Sequence, residues 1–142
     1  MRLILCSMLL LAACSPESSP PGLKPGLFAG EGRDALCIAG EAGNQRAGFI
    51  TFGSGDANCS ARGKLVAEGN GFALVPKGEG DCRIPVTQTE AGMTIGGPPG
   101  SCSYYCGPGV TLEGKSFRRV SPGDAAAAAN NPMVDFGGDP LC

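Results

Sequence analysis

The sequence predicts an all-β domain: a small antiparallel sheet curled into a sandwich or open barrel, stapled by disulfides, with an irregular C-terminal tail and at most one short helix. Three observations carry this. From about Leu27, short apolar runs of four to six residues recur, with turn signals every 8–15 residues, the spacing of hairpin-connected strands. No helical periodicity of the apolar residues appears before residue 120. Gly (24) and Pro (12) make up about a quarter of the 142 residues, and eight Cys stand among them, a composition that suits a loop-rich, cross-linked domain.

The strands follow in order. Ala35-Leu36-Cys37-Ile38 is an apolar run, and Gly48-Phe49-Ile50-Thr51-Phe52 is the next, across a turn at Gly43-Asn44-Gln45. Gly63-Lys64-Leu65-Val66-Ala67 and Gly71-Phe72-Ala73-Leu74-Val75 are joined by Glu68-Gly69-Asn70-Gly71, whose Asn-Gly pair is a hairpin signal. Cys82 to Thr87 alternates, with Cys82, Ile84 and Val86 inward and Arg83 and Thr87 outward. Pro85 has no N–H for a ladder, which places that strand at an edge or turns the Pro nitrogen to solvent. Met93-Thr94-Ile95 is a sixth short strand. Asp124 followed by five Ala can cap a single helix of about two turns. The tail, residues 121–142, has few apolar residues and is expected to lie over the domain, pinned at its last residue by a disulfide.

The first fourteen residues have a different texture. Met1-Arg2 is a short positive end, and Leu3–Ala13 is an apolar run of 11 residues. A helix of that length spans roughly 17 Å, short of the ~30 Å core of a bilayer. Residues 1–13 therefore read as a secretory signal peptide. Leu11-Ala12-Ala13-Cys14 closely resembles the lipobox of bacterial lipoproteins. That resemblance implies cleavage before Cys14, a diacylglycerol on its sulfur and acylation of the new amino group. Two or more acyl chains anchor stably where one binds marginally. Inner-membrane lipoproteins of enteric bacteria typically carry Asp after the Cys. Ser15 stands there instead, so the resemblance points to the outer membrane, with the periplasm as the medium. Ser15–Gly26, with four Pro and three Ser in twelve residues, is expected to be an extended tether reaching at most roughly 40 Å. The single disulfide-rich domain is expected over residues 27–142.

Cleavage removes Cys6 and lipid occupies Cys14, which leaves Cys37, Cys59, Cys82, Cys102, Cys106 and Cys142. An even number in an oxidising compartment reads as three disulfides. Zinc is the competing reading, but C-x₃-C at Cys102 and Cys106 has no second Cys pair near it and the chain has no His. Six Cys allow 15 pairings. An internal echo favours one of them: Gly53-Ser54-Gly55-Asp56 before Cys59 and Gly78-Glu79-Gly80-Asp81 before Cys82 each sit between strands. That places both Cys at one end of the sheet and makes Cys59–Cys82 the preferred bridge. Second-neighbour strands lie ~9.6 Å apart in a flat sheet, beyond the ~7 Å limit for a disulfide, so the pairing requires curling. Calcium on Asp56 and Asp81 lacks the dense oxygen spacing of a calcium loop, and turn chemistry accounts for those residues.

Composition excludes several functions. A net charge of −2 argues against nucleic acid as a partner. Without His, the commonest general base and metal ligand is missing, and no P-loop, haem-attachment or C-x-x-C redox motif is present. No cofactor or metal is expected. Carboxylates for glycoside hydrolysis would have to come from Glu68, Glu79, Asp81 or Glu90, all in polar or Gly-rich turn sequences. The most distinctive segment, Ser101 to Gly109, concentrates Tyr104 and Tyr105 beside Cys102 and Cys106. Tyr rings on a disulfide-fixed loop suit recognition of a partner; the competing reading is that they cap one end of a thin core. Arg118-Arg119 would add at most a small basic patch.

The reading is of a lipid-anchored, periplasm-facing, non-catalytic binding or structural lipoprotein. Its partners would be the membrane, through Cys14, and a protein or envelope polymer. Small β-rich lipoproteins that inhibit lysozyme are similar in size, anchor and disulfide usage, although their Ser-Gly-x-x-Tyr type motif is not matched here. The alternatives are an inhibitor of a wall-degrading enzyme and a carboxylate-dependent envelope hydrolase.

Overall fold

The computed structural model describes residues 22–78, 80–120, 134 and 137–142. Eight antiparallel strands run in chain order around a closed barrel: β1 (Gly26–Ala29), β2 (Ala35–Ala39), β3 (Arg46–Phe52), β4 (Asn58–Glu68), β5 (Gly71–Pro76), β6 (Ile84–Gln88), β7 (Gly92–Ile95) and β8 (Lys115–Arg119). Every neighbour is the next strand in sequence, and β8 returns to β1 through Phe28↔Arg119 and Ala29↔Arg118. The curling expected from the sequence thus runs to full closure, which leaves no sheet edge to pair with another chain. The short segment between β7 and β8, Gly100–Tyr105, is a 3₁₀ helix. Cys14, the expected signal peptide, Glu79 and the helix expected at Asp124 lie outside the described residues.

Alternation decides which side chains fill the barrel. In β4 Cys59, Ala61 and Leu65 are buried while Lys64 faces out, and across the ladders Leu36 meets Phe49, Phe49 meets Ala61, Leu65 meets Leu74 and Leu74 meets Ile84. Phe28, Phe49 and Phe117 are fully buried with Met93, Ile95 and Val86. An eight-stranded barrel is just wide enough for such side chains, and they form one continuous core.

Two strands, β1 and β8, carry no sequence signal of their own, since each puts one large side chain inward, Phe28 and Phe117. The hairpin turn between β4 and β5 is also placed differently. Glu68 pairs with Gly71, so the corner is Gly69-Asn70. Gly69 has φ +55° and Asn70, like every described residue other than Gly, has no positive φ, the pattern of a type II′ turn with Gly first. Pro85 lies in a strand paired on both sides, so the edge alternative falls away. Its ladder to β7 begins only at Val86↔Ile95, and the bond just beyond runs from Gly96 N–H to the Pro85 carbonyl, which uses the acceptor Pro still has.

Each end of the barrel is stoppered. At one end the 96–114 connection folds over the mouth, with Cys102 and Leu112 buried in the core. Cys102 bonds to Cys82 and Cys106 to Cys59. The preferred pairing Cys59–Cys82 is therefore wrong. Both Cys do sit at this one end, but their partners come from the long connection lying between them over the opening. At the other end Leu23 is only 3% exposed. Its N–H donates to Gln45 Oε1 (2.8 Å) and its carbonyl accepts from Gln45 Nε2 (2.6 Å). The folded domain therefore includes residues 22–26, the last five of the expected tether.

A buried ion pair locks the first end. Asp34 Oδ2 accepts from Lys115 Nζ at 2.9 Å, and Oδ1 accepts from the Phe52 N–H at 2.7 Å. The Asp34 side chain is 3% exposed, so both oxygens take charge-assisted bonds in place of water. One side chain thereby joins the starts of β2 and β8 to the end of β3.

The described end of the tail, residues 137–142, lies on the outside of the wall. Leu141 packs with Ala35, Cys37 and Ile50, the outward side chains of β2 and β3, and Cys142 bonds to Cys37. A β-carbon on Gly48 would overlap the Leu141 backbone, so that glycine lets the tail lie directly on the sheet. Arg62 holds Asp139 (2.8 Å) and the Pro140 carbonyl (3.0 Å), and Arg46 Nε donates to the Cys142 carbonyl (3.2 Å).

Candidate partner-binding loop

Pro99, extended at φ −64° and ψ 161°, opens the 3₁₀ segment. The Cys102 N–H donates to the Pro99 carbonyl (2.9 Å) and the Cys106 N–H to the Ser103 carbonyl (3.1 Å). These i→i+3 bonds make the tight turns that such helices use in short pieces. Cys106 then pairs with Cys59 as an isolated bridge, and the Gly107 N–H donates to the Asn58 carbonyl at 2.7 Å. The disulfides hold the Cα atoms of Cys82 and Cys102 at 4.7 Å and those of Cys59 and Cys106 at 4.0 Å. Ser103-Tyr104-Tyr105 is thus clamped on both sides to the barrel wall.

The two tyrosines part company. Tyr105 is partly buried and packs on the core, as the capping alternative anticipated for both. Tyr104 is 89% exposed. Its ring stands edge-to-face on Tyr105, with centroids 5.4 Å apart and planes at 90°, a preferred aromatic geometry. The clamped loop therefore holds one large ring out in solvent on a ring packed against the core. The same loop borders a hollow of about 360 Å³, lined by Pro98, Pro99, Cys102, Ser103, Val110 and Leu112 among others. A projecting ring and a shallow, largely apolar hollow on one loop offer a partner both an anchor and a socket.

The other sequence candidates are dispersed. Asp81 belongs to the connection between β5 and β6, whereas Glu68 and Glu90 belong to the hairpin ends opposite, with Glu68 4.0 Å from Arg83. Asp56 pairs with Arg33 at 3.2 Å. Arg119 stacks over Phe28 at 5.0 Å and donates to the carbonyls of Pro25 and Lys24, closing the seam between β1 and β8. Arg118 points outward from the same strand. The adjacent arginines therefore form no joint patch.

Sequence reasoning missed the Asp34–Lys115 lock and a basic face on β3 to β5. The signal for the second was available: in Arg62-Gly63-Lys64 the cations occupy the outward positions of one alternating strand. Compared with protein-family models, curated proteins and solved structures, the chain matches none.

Proposed function

We propose that this protein is a lipid-anchored binding module on the periplasmic face of the bacterial outer membrane, non-catalytic, which presents Tyr104 to a protein partner. The observation that carries the reading is the exposure of Tyr104 on a loop clamped by two disulfides. Ordering a loop at the moment of binding costs free energy, and a loop already rigid avoids that cost. Tyr is also among the residue types that dominate interface energetics. The anchor rests on Leu11-Ala12-Ala13-Cys14, and lipid there would confine the loop to the envelope.

Wall-degrading enzymes are the first partners to test, because small β-rich lipoproteins that inhibit lysozyme are similar in size, anchor and disulfide usage. The mature chain is titrated against lysozymes and against proteins captured from envelope extract. Tyr104→Ala should weaken a genuine partner at least thirtyfold, a hot-spot effect, with the melting temperature unchanged. Full affinity in that variant would remove the loop from the interface. Hydrolysis of a wall polymer by the pure protein, abolished by Glu68→Gln or Glu90→Gln, would favour the hydrolase instead. For the anchor, Cys14→Ser should no longer incorporate labelled fatty acid.

A further inference from the structure

On the outer wall, β3, β4 and β5 bring four cations together. Arg46 lies directly opposite Lys64 in the ladder. Arg62, two residues before Lys64 on the same outward face, is next to Lys77, whose N–H donates to the Arg62 carbonyl at 3.1 Å. Four of the chain's 11 basic residues thus share one patch of an acidic protein. Like charges directly opposite in a ladder destabilise it, so the fold tolerates this arrangement at a cost. They surround a groove of about 460 Å³ whose other walls include Asn44 and Leu141. Among the described residues no Asp or Glu side chain lines the groove, and Cys142 lies in it with a backbone oxygen on Arg46. Asp139 stands at its edge on Arg62, and Lys64 and Lys77 form no ion pair with any described residue.

The tail shapes this groove and places two of its cations. Pro140 and Leu141 form one wall, and Arg46 and Arg62 are drawn onto the tail backbone. The two lysines across from them keep all their donors. Two fixed guanidinium groups facing two free ammonium groups is a donor set for phosphate oxygens.

The position of the groove identifies the source of the phosphate. Gly22, the described residue nearest Cys14 in sequence, abuts Ala42 and Gln45, and Gln45 and Asn44 also line the groove. The chain leading to the anchor therefore emerges beside its mouth. Cys14 is eight residues before Gly22, and eight extended residues reach at most about 28 Å. We propose that the groove binds the phosphate headgroups of anionic phospholipid in the bilayer that carries the anchor. Docking this wall on the membrane turns the opposite wall toward the periplasm. The choice of lipid over a soluble phosphate rests on the lipidation of Cys14 proposed above.

The test uses the mature chain, residues 14–142 with Cys14→Ser, exported behind an ordinary secretory signal so that disulfides form and no lipid is attached. It is co-sedimented with vesicles of phosphatidylcholine alone and with vesicles containing about a third phosphatidylglycerol. Binding should appear only on the anionic vesicles and disappear when salt shortens the screening length severalfold. Each basic residue near an anionic surface contributes about fivefold in binding, so Lys64→Gln with Lys77→Gln should lower partition about 25-fold. Arg118→Gln, on the opposite wall, should change it less than twofold. Equal binding to both vesicle types overturns the proposal, and so does an Arg118→Gln loss as large as that of the lysine pair. Chemical-shift or calorimetric binding of inorganic phosphate without vesicle binding also overturns it, in favour of a solute site. If native Cys14 carries no acyl chain, the anchor reading fails by itself, and the vesicle comparison still decides the groove.

Discussion

Two irregular segments cover this barrel, and their cross-links do different work. The 96–114 connection closes an open mouth: what it buries, Cys102 and Leu112, is continuous with the side chains inside. The tail lies on a wall that is already hydrogen-bonded on both sides, and what it buries forms a separate small cluster outside. The connection is stapled by two bridges, spanning 20 and 47 residues, the tail by one spanning 105. By loop length alone the tail's bridge should be the most stabilising. The architecture argues the reverse.

A disulfide stabilises by restricting the unfolded chain, provided the folded chain is ordered with or without it. The connection meets that condition, because releasing it uncovers the core. Cys59→Ala with Cys106→Ala should therefore cost about 4 kcal/mol, the value for a loop of that size, a large part of the net stability of a small domain. Urea unfolding followed by circular dichroism measures this. A loss below about 1 kcal/mol would mean that the mouth closes without its staples.

Asp34 is a non-covalent lock at the same end. Asp34→Ala removes a charge-assisted bond to the Phe52 N–H and strands the Lys115 ammonium, which is 26% exposed. The expected cost is about 3 kcal/mol, read from the same urea transition. Asp34→Asn, which can keep one bond to the backbone, should cost less. If the two variants lose equally, the ion pair carries the lock and the backbone bond adds nothing.

Much of this contrast was legible in the sequence, and its limits are physical. The runs at Ala35–Ile38, Gly48–Phe52 and Gly71–Val75 are legible as strands because each is a short, nearly continuous apolar stretch between turn residues, and the terminal Cys142 marks the tail as pinned. Closure was not readable, because β1 and β8 each present a single large inward side chain and their pairing joins residues about ninety apart in sequence. The first half of β4 was missed because Cys59 and Ala61 are small inward residues between polar ones. The preferred Cys59–Cys82 bridge failed for a related reason. The echo of Gly and Asp located both Cys at one end, but nothing local shows that the 96–114 connection returns to that same end. At the candidate site both tyrosines were singled out by their loop, yet only three-dimensional packing separates the exposed Tyr104 from the seated Tyr105.

Removing the tail's staple should give the smaller loss. In Cys37→Ser with Cys142→Ser the tail gains freedom in the folded state as well as in the unfolded one, so most of the entropy cancels. The urea transition should shift by less than about 2 kcal/mol, against the ~4.7 kcal/mol of the chain-entropy estimate for a loop of about a hundred residues. Limited proteolysis should cut within residues 121–142 while the amides of β3 to β6 keep their exchange protection. A shift as large as that of the Cys59 and Cys106 pair would show that the tail belongs to the core.

The smallest effect probes what the tail does to the wall beneath it. Lys64 faces Arg46 across the ladder, and relieving one such like-charge pair should stabilise the fold by about 0.5 kcal/mol. Lys64→Gln should therefore raise the melting temperature slightly at low salt, and the gain should fade as salt screens the pair. The tail supplies a side-chain counter-charge at this face, Asp139 on Arg62 at 2.8 Å. When the Cys37–Cys142 bridge is removed, that carboxylate leaves with the tail and the repulsion among the four cations rises. Lys64→Gln should then stabilise the tail-free protein more than the intact one, a coupling of a few tenths of a kcal/mol in a double-mutant cycle. An equal gain in both backgrounds would mean that the tail is electrostatically inert and acts on the barrel only as a cover for Cys37 and Ile50.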